Sequence, residues 1–112
     1  MTRRTLTIAS LALLFLAGCK TSTTPIKTLL DDPSRFDHQV VRVAGTVGSS
    51  VGVLGYGAYA IDDGTGSIPV VSKEHGAPRE GAKVGVEGEF RAGFTLGDKT
   101  AAVIVEQSRY TP

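Results

Sequence analysis

The chain has 112 residues, a length that accommodates one small domain. Its 12 basic and 11 acidic residues nearly balance, which argues against the electrostatic attraction to phosphate that dominates nucleic-acid binding. Cys19 is the single cysteine, so an intramolecular disulfide is excluded.

The first residues follow the pattern of a secretory signal peptide. Arg3 and Arg4 precede a mostly apolar run, residues 6–17. That run is shorter than the roughly 20 residues needed to span a bilayer. We therefore predict a signal peptide over residues 1–18, and its removal takes both arginines away and leaves a formal charge of −1.

The end of this segment, Leu16-Ala17-Gly18-Cys19, resembles the lipobox of bacterial lipoproteins. The resemblance implies cleavage before Cys19, a diacylglycerol on its thiol and attachment to a membrane through the acyl chains. Each buried CH2 contributes about 0.8 kcal/mol, so two or three chains anchor durably. In the sorting rule of this class, an aspartate directly after the cysteine favours the inner membrane. Lys20 occupies that position here, which favours the periplasmic face of the outer membrane.

The domain is predicted to begin with a short helix. Residues 19–25 are polar and predict a tether to the lipid, followed by a folded domain over residues 26–110. Thr24 is the expected helix cap, and Pro25 suits the first helical position. The apolar stripe expected to pack on the domain has i, i+3, i+4 spacing and consists of Ile26, Leu29 and Leu30, and Pro33 should end the helix.

Alternating apolar and polar residues then predict strands in "VVRVAGTV" (40–47) and "KVGVEGEF" (83–90). Between them, "AYAID" and "SIPVV" are joined by a predicted turn at Asp63-Gly64-Thr65-Gly66. A last strand, "TAAVIVEQ" (100–107), is apolar on both faces and should be well covered. The side chains expected to face inward are Val41, Val43, Val47, Tyr59, Ile61, Ile68, Val70, Val84, Val86 and Phe90.

Five strands after one helix predict an all-β, five-stranded OB-fold barrel preceded by a short N-terminal helix, because closure hides the sheet edges. In this fold the first strand bends to pair in both halves of the barrel. Gly45 lies in the middle of the first predicted strand and Gly88 at the matching place in the fourth, where a glycine permits such a bend.

The stretches "LLDDPSRFDHQVVRVAGTV", "YAIDDGTGSIPVVS" and "PREGAKVGVEGEF" resemble bacterial OB-fold domains found in small exported proteins. The resemblance covers about residues 26–107 and implies the fold rather than one function. Relatives of this architecture include anticodon-binding-like domains, single-strand-binding proteins and periplasmic stress proteins. The haem chaperone of cytochrome c maturation also has this architecture, but it needs a histidine late in the chain for covalent attachment. No histidine follows His75 in this sequence, so that assignment is excluded.

Several functions are disfavoured by the residues available. The outward positions of the second and third strands, Ala60, Asp62, Pro69 and Val71, supply no cation or aromatic ring for nucleic acid. Asp62 and Asp63 are interpreted as turn residues rather than metal ligands, and His38 and His75 as separate loop residues. We expect no metal, cofactor or catalytic site, and therefore no enzyme.

Two glycine-rich segments with apolar side chains, "GSSVGVLGYGAYA" and "RAGFTLGD", are predicted to be loops. In OB-folds the corresponding loops frame the binding surface. Candidate binding residues there are Tyr56, Phe94 and Leu96, with Arg42 and Thr46 of the first strand as the next place to look. The predicted function is a lipid-anchored envelope module that binds a protein or peptide. The alternative is oligonucleotide or oligosaccharide binding by the OB-fold face.

Overall fold

Two short helices precede five strands in the computed structural model, which describes residues 22–53, 56–96 and 98–112. The predicted signal peptide and Cys19 lie outside the described residues, as do the side chains of Val53 and Leu96. The elements are α1 (Ile26–Asp31), α2 (Pro33–Phe36), β1 (Val40–Val53), β2 (Tyr56–Asp62), β3 (Ser67–Ser72), β4 (Lys83–Leu96) and β5 (Lys99–Tyr110).

The strands form a closed barrel in the order β1-β2-β3-β5-β4. All neighbours are antiparallel except β3 and β5, which run parallel and pair only through Val70 with Ile104 and Val71 with Val105. β1 pairs with β4 from Val40 to Thr46 and with β2 from Thr46 to Val53. This is the predicted OB-fold, with the long first strand shared between both halves of the barrel.

Gly45 lies where β1 passes from one partner to the other. A Cβ on Gly45 would clash with the carbonyl oxygen of Asp62 and stand 2.7 Å from its carbonyl carbon. Gly88 meets the carbonyl group of Val105 on β5 in the same way. Both glycines are therefore required by a close approach of two backbones, as their mid-strand positions predicted.

The predicted alternation is confirmed in the core. The inward residues of the first four strands are buried, and Ile104 of β5 joins them. The buried apolar cluster consists of Ile26, Leu29, Val41, Val43, Val47, Tyr59, Ile61, Ile68, Val70, Val84, Val86, Phe90 and Ile104. It fills the barrel and extends under the N-terminal helix.

The start of α1 differs from the prediction. Pro25, not Thr24, is the N-cap residue, and no side chain within the helix caps it. Instead the β2–β3 turn supplies the acceptors: the Ile26 amide donates to Asp63 Oδ2 at 2.9 Å and the Lys27 amide to Thr65 Oγ1 at 3.2 Å. These bonds satisfy amides that have no partner within the helix.

The apolar stripe of α1 is only partly buried. Ile26 and Leu29 are fully buried, whereas Leu30 is 39% exposed. Pro33 ends α1 as predicted, and it also begins α2, where its missing amide costs no hydrogen bond.

The two glycine-rich segments are strands rather than loops, which corrects the prediction. β1 continues to Val53 and β4 to Leu96, and each pairs with the strand that follows it. The β1–β2 ribbon (residues 48–53 and 56–60) and the β4–β5 ribbon (residues 91–96 and 99–102) are thus extensions of the sheet.

Replacement of Gly45 tests the close approach directly. We expect Gly45→Val to lower the free energy of unfolding by about 3 kcal/mol or more, because the obstacle is backbone that cannot rotate away. Gly48→Val is the matched control, since a Cβ there has only the Ala60 Cβ at 4.0 Å. Urea denaturation of residues 20–112 measures both. Equal losses for the two variants would refute a special role for Gly45.

Candidate functional site

A row of apolar side chains crosses four strands on the outside of the barrel. The register places Val51 opposite Ala58, Ala58 opposite Val71, and Val71 beside Val105. Side chains at opposed positions lie on one face of a sheet. That face is the outer one, because the next residues along the strands, including Tyr59, are buried in the core.

Three further residues extend this row. Ala60 and Pro69 are paired two residues further along β2 and β3, and Tyr56 begins β2 on the same side. We call the whole set the apolar face: Val51, Tyr56, Ala58, Ala60, Pro69, Val71 and Val105. Val51 and Tyr56 are 62% and 61% exposed.

The apolar face has no charged member. No Asp, Glu, Lys or Arg occurs anywhere in residues 43–61, and Asp62 marks the end of β2. Val51, Tyr56 and Pro69 are exposed, whereas Ala58, Ala60, Val71 and Val105 are half-buried. An apolar surface with large exposed side chains is typical of an interaction site. Isolated apolar residues on a surface carry no such meaning, but here the strand register makes them neighbours.

The two ribbons flank the apolar face from opposite ends. β2 is antiparallel to β3, whereas β5 is parallel to it. The first residue of β2, at the tip of the β1–β2 ribbon, therefore lies at the opposite end of this face from the first residue of β5. Tyr56 and Phe94 do not form one patch, and a ligand that touches both must cross the face between them.

A buried carboxylate lies beneath the apolar face. The Glu106 side chain on β5 is 1% exposed and accepts hydrogen bonds from the Tyr59 hydroxyl and, at 3.1 Å, from the Ser72 hydroxyl. Arg109 donates through Nε to Oε1 at 3.1 Å and through Nη2 to Oε2 at 3.2 Å. One charge thereby links β2, β3 and β5, and its burial is compensated by four donors.

The same network holds the connection between β3 and β4. Arg109 Nη2 also donates to the Gly76 carbonyl at 2.9 Å, and the His75 amide donates to Ser72 Oγ at 3.1 Å. Gly57 of β2 faces this segment so closely that a Cβ would stand 2.5 Å from the Ala77 nitrogen. Burial and the adjacent Glu106 raise the pKa of Tyr59 well above its ordinary value, so its hydroxyl remains a donor.

Arg42 lies on another side of the barrel. Its register partner is Glu87 of β4, with 3.9 Å between Arg42 Nε and Glu87 Oε2. The guanidinium stacks over the ring of Tyr110, 4.3 Å from the ring centre. The structure therefore does not bring Arg42 together with Tyr56.

The other candidate residues are also dispersed. Thr46 is exposed and lines an open cleft of about 660 Å³ together with Asp62, Asp63, Lys83 and Pro112. Phe94 is half-buried on β4 opposite Ala101. Leu96 ends β4 opposite Lys99, and its side chain lies outside the description.

The Asp-Asp-Gly-Thr-Gly segment is a turn, as predicted. Asp62 Oδ1 accepts from the Gly64 amide at 2.8 Å, and Asp63 Oδ1 accepts from the amides of Thr65 and Gly66. Within the described ranges, no group of three or more His, Cys, Asp or Glu side chains is arranged to hold a metal ion.

Asp63 is specialised for holding this turn against α1. Burial opposes its ionisation, but hydrogen bonds from Thr65, Ile26 and Gly66 outweigh burial and lower the pKa of the carboxyl. Because the pKa is lowered, its contribution to stability is complete above the ordinary pKa of an aspartate. That contribution is lost as the pH falls through the lowered value.

Comparison with known proteins supports the fold. The chain matches no protein-family model, and no curated protein matches it. Among 42 matching solved chains is an OBody bound to hen egg-white lysozyme, with 18% identity, a TM-score of 0.54, and coverage of 68% of this chain and 83% of the OBody. Another is asparaginyl-tRNA synthetase from Pyrococcus horikoshii, with 22% identity and a TM-score of 0.52 over 68% of this chain and 20% of the synthetase.

At these identities the similarity establishes the fold alone. The barrel order and the matches together define an OB-fold, a class of domain that hosts many different functions. Among the described residues, no helix is both long and apolar enough to cross a bilayer.

Sequence reasoning missed the buried network. Glu106 falls two residues after the inward Ile104, so strict alternation places it in the barrel interior. That signal was present in the last strand, but the apolar run around Ile104 hid it. Its partners Ser72 and Tyr59 lie 34 and 47 residues away along the chain, and no local pattern indicates them.

The network predicts a charge-specific loss of stability. We expect Glu106→Gln to lower the free energy of unfolding by about 2–3 kcal/mol, because Arg109 loses a charged acceptor in a buried setting. Glu89→Gln is the control, a half-exposed carboxylate on β4 expected to change stability by less than about 0.5 kcal/mol. Chemical denaturation compares them, and losses of equal size would contradict the assigned role of Glu106.

Proposed function

We propose that this protein is an exported, lipid-anchored OB-fold module that binds a protein or peptide partner in the cell envelope through its apolar face. The observation that carries the proposal is the unbroken apolar row from β1 to β5, with no charge among its members. The module is non-catalytic in this proposal, since the buried Glu106 carboxylate is engaged by four hydrogen bonds from three side chains.

The lipid anchor rests on the lipobox-like sequence at Leu16-Ala17-Gly18-Cys19. The polar residues between Cys19 and α1 suit a short tether. Attachment to the periplasmic face of the outer membrane is the favoured location, because Lys20 follows the modified cysteine.

A polypeptide partner suits the chemistry of the apolar face better than nucleic acid does. Nucleic-acid OB-folds combine cations with exposed aromatic rings. The apolar face has one ring, Tyr56, and no cation. Aliphatic side chains around a single exposed aromatic residue are the composition of a protein interface. The OBody that shares this fold is itself bound to a protein, lysozyme.

The anchor is tested by changing the cysteine. We expect Cys19→Ala to abolish incorporation of radiolabelled palmitate, and the product to remain uncut or to leave the membrane fraction. Cys19→Ser is a second variant with the same expected loss, because its hydroxyl is not the thiol that the lipid transfer requires. Normal labelling of either variant would refute lipidation at Cys19.

The binding face is tested by photo-crosslinking in intact cells. A photoreactive residue at position 51 should give a discrete protein adduct, and the adduct should be lost when Tyr56→Ser is added. Loss of such an aromatic anchor costs about 2 kcal/mol, roughly thirtyfold in affinity. Position 40 is the matched control, because Val40 is another exposed valine of β1 (54% exposed) on the β4 side of the barrel.

Two outcomes would contradict the proposed face. Equal adducts at positions 51 and 40 would show that contact is unselective. An adduct at position 51 that is sensitive to nuclease would favour the nucleic-acid alternative. Loss of the adduct through unfolding is recognised by circular dichroism of the Tyr56→Ser domain, which should be unchanged because the side chain is largely exposed.

A further inference from the structure

The segment that leads to Cys19 leaves the barrel on the side of β1 and β4. The Thr24 amide donates to the Arg42 carbonyl at 2.8 Å. Ser22 and Thr23 line a small cavity of about 60 Å³ whose other walls are Arg42 and Tyr110. The described chain is therefore held against this side of the barrel up to its first residue, Ser22.

The surface next to Ser22 is formed by Tyr110 packed on Gly85. The Tyr110 ring lies over Gly85 of β4 so closely that a Cβ there would stand 2.6 Å from the ring carbon Cδ2. The Arg42 guanidinium lies over the same ring, 4.3 Å from its centre. We call the outer surface formed by Arg42, Gly85, Glu87, Ser108 and Tyr110 the tether side, since register pairs Arg42 with Glu87 and Glu87 with Ser108.

The lipid must lie close to the tether side. Cys19 precedes Ser22 by three residues, and an extended chain spans at most about 3.6 Å per residue. The Cα atom of Cys19, where the lipid would be attached, is thus confined to about 11 Å from the Cα atom of Ser22. A tether this short limits the orientations that the domain can adopt at a bilayer.

The tether side is centred on β4 and the apolar face on β2 and β3, across the barrel from β4, and both surfaces reach β1 and β5. In the closed order β1-β2-β3-β5-β4, β4 is separated from both β2 and β3 by a strand on each side. The two surfaces also differ in charge. The β4 side carries the Arg42–Glu87 and Arg91–Glu89 pairs and the exposed Lys83, whereas the apolar face has no charge. Charged groups tolerate the lipid headgroup region, and the apolar face would have to enter the acyl region to bury itself.

We infer that the tether side is the membrane-facing surface of the anchored protein and that the apolar face points away from the lipid. The inference rests on the proposed lipidation of Cys19. The occupant of the tether side is the headgroup layer of the membrane that holds the anchor. The apolar face is then open to partners in the aqueous compartment, even with the domain held close to the bilayer.

The orientation is measured with fluorophores at two single positions. Lipidation consumes Cys19, so Ser108→Cys on the tether side and Val51→Cys on the apolar face each provide one reactive thiol in the full-length lipidated protein. Both positions are exposed. Each labelled protein is reconstituted into vesicles of phosphatidylethanolamine and phosphatidylglycerol that carry a headgroup-attached quencher. We expect quenching at position 108 to be several-fold stronger than at position 51.

Flotation of the vesicles separates the two proposals. Labelled protein that floats and is quenched more strongly at position 108 supports the orientation. Protein that floats but is quenched equally at both positions, or more strongly at position 51, overturns the orientation and leaves lipidation standing. Protein that does not float overturns the lipidation and the orientation together. The same labels on Cys19→Ala protein give the quenching of the unanchored domain. If position 108 were quenched more strongly than position 51 in that variant as well, the tether would not be what orients the domain.

Discussion

The whole barrel depends on β1 changing partner at Gly45. Thr46 is paired with Lys83 of β4 and with Asp62 of β2, so one residue belongs to both halves of the sheet. This is sterically allowed because Gly45 has no Cβ to meet the Asp62 carbonyl. Gly88 allows β5 the same approach to β4. Without these two contacts between backbones, five strands would form an open sheet with exposed edges.

On the opposite side the barrel closes between β3 and β5, with few backbone pairs but with strong side-chain hydrogen bonds. β3 and β5 share only two paired positions. Glu106 compensates for this short seam, because it accepts hydrogen bonds from Tyr59 of β2 and Ser72 of β3 while Arg109 neutralises its charge. The apolar face lies on the outer surface of these same strands. In the proposed function, a network below the face that fixes three strands would reduce the entropy lost on binding a partner.

The barrel therefore has two chemically different sides that serve one proposed arrangement. The tether side is charged and lies beside the first described residues. Ser22 and Thr23 line a small cavity there together with Arg42 and Tyr110, and Arg42 stacks on the Tyr110 ring. The apolar face is uncharged and is bounded by two ribbons. A short tether and a face on the far side fit a module that is held at a membrane while it binds something beyond it.

Local patterns in the sequence determined the strands, their inward residues and the bends at Gly45 and Gly88, because alternation and mid-strand glycines are properties of neighbouring residues. Only the tertiary structure decided that residues 48–53 and 91–96 are strands, since glycine and small residues carry no strand signal until a partner supplies hydrogen bonds. It also decided that Asp63 caps α1 from 37 residues away and that Tyr59 and Ser72 are the partners of Glu106. Those roles arise from contacts between residues distant in the chain, and no periodicity in the sequence encodes such contacts.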